Sequence, residues 1–251
     1  MNISCLHEPN SKRVGSHGVC ETKRSENLAP EGFVYISDVI PNAILEIRYH
    51  SSYNFVGERI DGYERPTALL TQEAARALKE TGDDLMEMGY RIKIYDAYRP
   101  MRAVAHFINW TKRADDTRMK EYFYPNLDKT ALIQQGYISE RSAHSRGSAV
   151  DLTLFNMETG KDVDMGSTFD WFGNESRPDW CGNPETDLYT GNYPGNTPAA
   201  GGQINAVQFH NRMLLRSAMM AHGFSPIMGE WWHFVLANEP YPETYFDYPV
   251  S

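Results

Sequence analysis

Residues 142–154 read "SAHSRGSAVDLTL", and both the fold and the chemistry of the chain turn on them. Val150, Leu152 and Leu154 fall on one face, and Ala149, Asp151 and Thr153 on the other, which is the period-two signature of a strand. Gly147, just before it, permits a bend. His144 therefore sits on a turn, and Asp151 points off one face of the strand that the turn feeds. A catalytic zinc typically takes three protein ligands, His or carboxylate, and leaves a fourth position for water. A turn and its strand supply two of them. The best third candidate is His233 in "GEWWHF", because an acidic residue, Glu230, precedes it by three positions.

The chemistry explains that pairing. Zinc lowers the pKa of a bound water to about 7 and polarises a carbonyl. A carboxylate beside the metal, but not on it, takes the proton from that water and hands it to the leaving amine. Glu230 suits this role while His233 holds the metal. Residues three apart on a regular strand face opposite sides, so Glu230 is expected in a turn or bulge at the strand's entrance. A fixed cation aimed at the negative tetrahedral intermediate would complete the site. Arg99, in "YDAYRP" at the end of a predicted strand, is the first choice, with Arg102 and Arg146 as alternatives. Plainer readings stand beside these: Arg99 pairing with Asp96 on the surface, Glu230 a solvated charge, Trp231 and Trp232 core aromatics.

Working outward, the folded part is expected to begin near Gly32. "FVYISDVI" and "AILEIRYHSS" read as extended segments separated by Pro41-Asn42, and "NFVGERIDGYERP" as a loop. Over residues 71–88, Ala75, Leu78, Leu85 and Met88 recur at helical spacing, and Gly89 is a stop. "YRIKIYDAY" alternates as a strand, with Tyr90, Ile92 and Ile94 on one face. Pro100 opens a helix over "MRAVAHFINWTKRA", and a shorter helix is expected over 129–135. Residues 172–202, rich in Gly, Pro, Asn and Asp, form a long loop of the kind that is functional or mobile. A helix over 205–222 ends at Gly223, and "WWHFVLA" is a late strand. Strands and helices do not alternate strictly. The expectation is therefore α+β: a single domain over 31–251 with a mainly antiparallel sheet flanked by helices, a zinc site at the sheet and a long inserted loop.

Composition narrows the function classes. The chain has 251 residues, 41% hydrophobic, with a formal charge of −9, which argues against a general nucleic-acid binder. No apolar run reaches the ~18 residues of a bilayer span, and no signal-peptide core is visible at the N-terminus. As written the chain reads as cytoplasmic; a periplasmic or exported protein whose leader had been removed would read the same way. Residues 1–30 form a polar tail, expected to be disordered. Its Cys5, His7, His17 and Cys20 can be arranged on paper as a zinc knuckle, but almost no apolar side chains surround them. With Cys181, the cysteines do not make a disulfide framework.

The motifs resemble those of a known family. "SAHSRGSAVD" is similar to the Ser-x-His-x-x-Gly-x-Ala-x-Asp motif of zinc D,D-peptidases, and "EWWH" to their Glu-x-Trp-His motif. "IRYHSSYNFVG", "YDAYRP", "DMGSTFD" and "NRMLLRSAMMAHGF" resemble, in order, other signatures of the D-alanyl-D-alanine dipeptidases of the VanX type. The resemblance covers residues 34–236. It implies one zinc ion on His144, Asp151 and His233, Glu230 as general base and Arg99 as transition-state stabiliser. It also implies Tyr49 and Ser142 as substrate contacts, and Asp170 as the acceptor of the substrate's free ammonium. The expected partner is a small D,D-dipeptide, split to free D-alanine, with no nucleic acid or membrane involved.

Two departures stand out: the loop over 172–202 is longer than the family's usual stretch, and the N-terminal tail has no counterpart. The loop starts two residues after Asp170, a position from which it would line or cover the pocket. Two other functions remain open. One is a D,D-carboxypeptidase acting on longer peptidoglycan precursors. The other is a zinc-containing binding module of the hedgehog signalling type, against which the presence of both a base and an oxyanion candidate argues.

Overall fold

A computed structural model describes residues 29–192 and 203–251 of the protein. The four residues of the possible knuckle, Cys5, His7, His17 and Cys20, lie outside the described residues, as do residues 193–202 of the long loop. The strands are β1 (Phe33–Tyr35), β2 (Ile44–Leu45), β3 (Leu69–Thr71), β4 (Tyr90–Asp96), β5 (Ala149–Asn156), β6 (Lys161–Asp162), β7 (Gly182–Asn183), β8 (Leu188–Tyr189), β9 (Phe224–Pro226) and β10 (His233–Leu236). The helices are α1 (Ile36–Val39), α2 (Gln72–Glu87), α3 (Met101–Thr111), α4 (Lys120–Phe123) and α5 (Ala206–Ala221).

The main sheet has six strands, ordered β2-β4-β5-β10-β9, with β6 paired to the far end of β5. Only the β2–β4 pairing is parallel, so the sheet is mainly antiparallel, as the α+β reading requires. Directly paired residues share a face. Ile92 pairs with Leu154, Ile94 with Leu152 and Phe234 with Val150. This apolar face packs under α2, and α5 packs beside α2 and against β9. The opposite face carries Asp151 and, paired to it, His233. At the site, α3 brings Val104 and Phe107 over that face.

Local chemistry accounts for the long helices. Thr71 caps α2 by accepting from Ala74 N–H, and Gly89, at φ +87°, turns the chain into β4. Asn205 and Gln208 form a reciprocal capping box on α5. Three expectations need correction. Residues 36–39 are helical rather than extended, because Ile36 and Ile40 meet the core at i and i+4 spacing. The helix expected over 129–135 is a single 3-10 turn, Lys129–Ala131, whose lysine is drawn away to the carbonyls of Arg113 and Asp116. Met88 lies outside the apolar face of α2, 55% exposed.

The long loop is partly structured. It holds the β7–β8 pair, and its Trp180 and Cys181 form a second apolar cluster with Ile204, Phe209 and Met213. Its described part thus packs along α5 rather than over the pocket; of these residues only Phe172 reaches the cavity. The C-terminal segment straps the molecule: Phe246 N–H donates to Ser145 O, and Val250 bridges to Tyr63. Among the described residues no helix is long and apolar enough to cross a membrane.

Candidate metal centre and its cavity

His144 lies in a 3-10 turn, Ala143–Arg146, capped by Ser142, whose hydroxyl accepts from His144 N–H at 3.3 Å. Gly147 ends the turn at φ +82° and delivers the chain into β5. A side chain there would overlap the Phe33 ring, so both space and backbone conformation require glycine. Asp151 follows in β5, and the β5–β10 register sets His233 directly opposite it. The ligand atoms of His144, Asp151 and His233 all lie within 4.8 Å of one another, and all three residues are buried.

The arrangement of protons shows what this trio suits. His144 Nδ1 is 2.6 Å from the Ala97 carbonyl, which can only accept, so Nδ1 carries the hydrogen and Nε2 presents a lone pair. That lone pair faces His233 Nδ1 at 3.0 Å and Asp151 Oδ2 at 3.2 Å, and His233 Nδ1 lies 3.0 Å from Asp151 Oδ1. With neutral rings a single hydrogen, on His233 Nδ1, serves the triangle. The His144–Asp151 contact then sets lone pair against lone pair. A cation among the three relieves it, so the donor set fits a divalent metal. Burial pushes the His144 pKa down, against the pull of Asp151, and favours the neutral ring that a metal needs. Burial lowers His233 too, but its hydrogen bond to Asp151 and the charges of Asp151 and Glu230 outweigh this and raise it. Asp151, which burial alone would raise, is held well below the usual carboxylate range by the two histidines.

Glu230 lies at the entrance to β10, between a bend at residues 228–229 and a turn at 231–232, and its Oε2 is 3.9 Å from His233 Nδ1. Burial, with Asp151 adding to it and His233 and Arg99 opposing, pushes its pKa up to about 7. Arg99 is largely buried: Nε donates to Asp96 Oδ2 at 2.8 Å and Nη2 reaches Asp151 Oδ2 at 3.4 Å. Its guanidinium carbon stands 4.9 Å from the Tyr49 ring centroid. Pairing with Asp96 therefore exists, but inside the site rather than on the surface. The alternatives fall away, since Arg102 pairs with Asp247 and Arg146 with Glu239, and neither lines the cavity.

The cavity in front of the trio has a volume of about 200 Å³. Tyr49, Arg99, Ser142, Asp170 and Glu230 line it together with the trio, so every sequence-predicted site residue is brought to one place. Tyr49 Oη donates to Asp170 at 3.0 Å, and Asp170 adopts φ +60°. Burial first, and then the charge of Asp151, raise the Asp170 pKa well above the ordinary range. Trp231 and Trp232 are buried core aromatics, as their plainer reading held.

Sequence reasoning missed part of the setting. Asp96 accepts from Tyr63 at 2.6 Å as well as from Arg99, and lies 3.7 Å from His144 Nδ1. Simple alternation puts Asp96 on the helix-covered face with Ile92 and Ile94. A register shift between Ile94 and Asp96 sets it opposite Asp151 instead. The "YDAYRP" string carries no sign of that bulge. Arg141 and Tyr137, in the turn-rich segment before Ser142, also line the cavity and had no periodic signal.

Comparisons with known proteins give the family of the chain. The D-ala-D-ala dipeptidase family (peptidase M15) matches residues 29–187 and 196–251. A D-alanyl-D-alanine dipeptidase of Enterococcus faecium is 37% identical over 220 residues, 88% of this chain and 98% of that protein. One from Streptomyces coelicolor is 33% identical over 219 residues, 87% and 98% of the two chains. One from Escherichia coli is 30% identical over 203 residues, 81% and 83%. With the match running along nearly all of the described residues and through the buried trio, the chain belongs to the D-ala-D-ala dipeptidase family of M15 peptidases.

Proposed function

We propose that the protein hydrolyses the free dipeptide D-Ala-D-Ala to two molecules of D-alanine, with zinc held by His144, Asp151 and His233. The observation that carries this reading is the convergence of two histidines and an aspartate beside a further carboxylate, Glu230, in one small cavity. Two histidine nitrogens and one carboxylate oxygen suit zinc over harder cations. When bound, zinc would supply Lewis acidity to the scissile carbonyl and to the attacking water.

The remaining chemistry falls to the chain. Glu230, with its pKa near neutrality, accepts a proton from the attacking water and passes it to the departing amine. Arg99, held by Asp96, presents a fixed positive charge toward the oxygen that becomes negative as the carbonyl is attacked. Asp170, oriented by Tyr49, receives the substrate's ammonium. Because an unmatched buried carboxylate is costly, the site favours a free N-terminus over a blocked one. Ser142 contacts the substrate from the turn that carries His144, and Phe55, Val104 and Phe107 offer apolar surface for its methyl groups. The small volume, about 200 Å³, supports a dipeptide over a longer chain.

The test is release of D-alanine from D-Ala-D-Ala by the zinc-loaded protein, with Glu230→Ala alongside. Turnover should fall by roughly 10²–10⁴ in the variant. Near-normal turnover in a zinc-loaded variant would remove Glu230 from its role. Preferential cleavage of N-acetyl-D-Ala-D-Ala would favour the carboxypeptidase function and remove Asp170 from its own.

A further inference from the structure

We infer that Tyr63 is a positioning residue that sets the aim of Arg99 by holding Asp96. The inference rests on the dipeptidase reading, in which Arg99 faces the oxygen that becomes negative. A fixed charge helps only where it is aimed at that oxygen, and a small misplacement costs rate. Neither Tyr63 nor Asp96 lines the cavity, so any effect they have on the reaction passes through Arg99.

Nε and Nη2 lie on one edge of a guanidinium, and that edge is a natural fork for both oxygens of a single carboxylate. In this site the fork is split. Nε donates to Asp96 Oδ2 at 2.8 Å, whereas Nη2 reaches Asp151 Oδ2 at 3.4 Å. Asp96 does not take both donors, because its other oxygen is occupied: Tyr63 Oη donates to Oδ1 at 2.6 Å. The split keeps the guanidinium turned toward the metal trio and the cavity. Without the Tyr63 hydroxyl, Oδ1 becomes a buried acceptor in need of a partner. Arg99 is beside it, and a carboxylate that claims both of its donors draws the guanidinium away from Asp151.

Tyr63 is itself firmly held. It and Asp96 are each 1% exposed, and its ring packs against that of Tyr49 with centroids 5.6 Å apart. Val250 clamps the backbone on either side of it. The Val250 N–H donates to Gly62 O at 2.8 Å, and its carbonyl accepts from the Glu64 and Arg65 N–H groups at 2.9 and 3.0 Å. Burial, and then the charge of Asp96, raise the Tyr63 pKa well above its ordinary range against the pull of Arg99, so the hydroxyl stays a donor.

The test is a double-mutant cycle on D-Ala-D-Ala cleavage at saturating zinc, with a urea midpoint recorded for each protein. Tyr63→Phe keeps the ring and removes only the hydroxyl. It is expected to lower kcat by roughly 10- to 100-fold with KM little changed. In an Arg99→Ala background the same change should cost less than about twofold, because no guanidinium is left to aim. A merely structural role would lower turnover equally in both backgrounds. That result, or a near-normal kcat in Tyr63→Phe, would overturn the inference while leaving the dipeptidase reading intact. Should Tyr63→Phe fail to fold, Asp96→Asn keeps the shape of the carboxyl group but sets an amide N–H against one of its donors. It should lower kcat likewise, and a normal kcat there would overturn the inference too. Failure of the wild-type protein to cleave D-Ala-D-Ala would overturn both.

Discussion

At the scale of single residues, the site works by setting neighbouring carboxylates to different ends. Asp151 is pinned ionised between two histidines, whereas Glu230, a few ångströms away, sits at a pKa of about 7 chiefly because it is buried. The split assigns one to metal binding and the other to proton transfer. It also has a stability consequence in the metal-free protein. The folded-state pKa of Glu230 lies above its ordinary 4.5, so the folded form holds that proton more tightly than the unfolded chain does. The stability it contributes is complete below about pH 4.5 and is lost as the pH rises through about 7. Glu230→Gln removes this titration. The metal-free variant should gain on the wild type by on the order of 2–3 kcal/mol between pH 5 and pH 8, read from urea midpoints. Parallel behaviour of the two proteins would contradict the burial argument.

At the scale of elements, the decisive unit is the 3-10 turn feeding β5. It carries His144, Ser142 and Gly147 within six residues and leads into the strand bearing Asp151. Gly147 and Gly89 have nearly the same backbone conformation, φ +82° and +87°, but different surroundings. A Cβ at Gly147 would overlap the Phe33 ring and crowd the Thr71 methyl at 3.2 Å, whereas at Gly89 nothing lies within 4 Å. Gly147→Ala is expected to cost about 2–4 kcal/mol and to weaken zinc affinity, because the turn cannot move without carrying His144. Gly89→Ala should cost only about 1 kcal/mol and leave zinc affinity unchanged. Denaturant titration and zinc competition assays on both variants check this; equal costs would mean that close packing at Gly147 is not what demands glycine.

At the scale of the molecule, the metal trio draws its members from three places along the chain: the turn before β5, β5 itself and β10. A metal bound there links them only in the folded state. Zinc at about 1,000 times its dissociation constant should stabilise the protein by about 4 kcal/mol, raising Tm by roughly 10 °C. His233→Ala should abolish the shift, and its survival in that variant would place the metal elsewhere. A second long-range tie does not need metal. Arg212 on α5 is buried and donates to the carbonyls of Met165, Arg177 and Glu175, joining the helix to the segment that carries Asp170 and to the start of the long loop.

What the sequence by itself determined was whatever depends on local periodicity and on residue type at fixed spacing. It set out the strand from Ala149, the helix after Thr71 and a helix over residues 205–222, and it named the trio, Glu230 and Arg99 as site candidates. Those signals are legible because a strand or helix imposes its period on neighbours, and because metal chemistry restricts the residues that serve it. The bulge that swings Asp96 under Arg99 was decided by the tertiary structure alone. So were the packing of the long loop along α5 and the place of Arg141 in the cavity lining. Each depends on contacts between residues far apart in the chain, and no spacing within a single segment records such contacts.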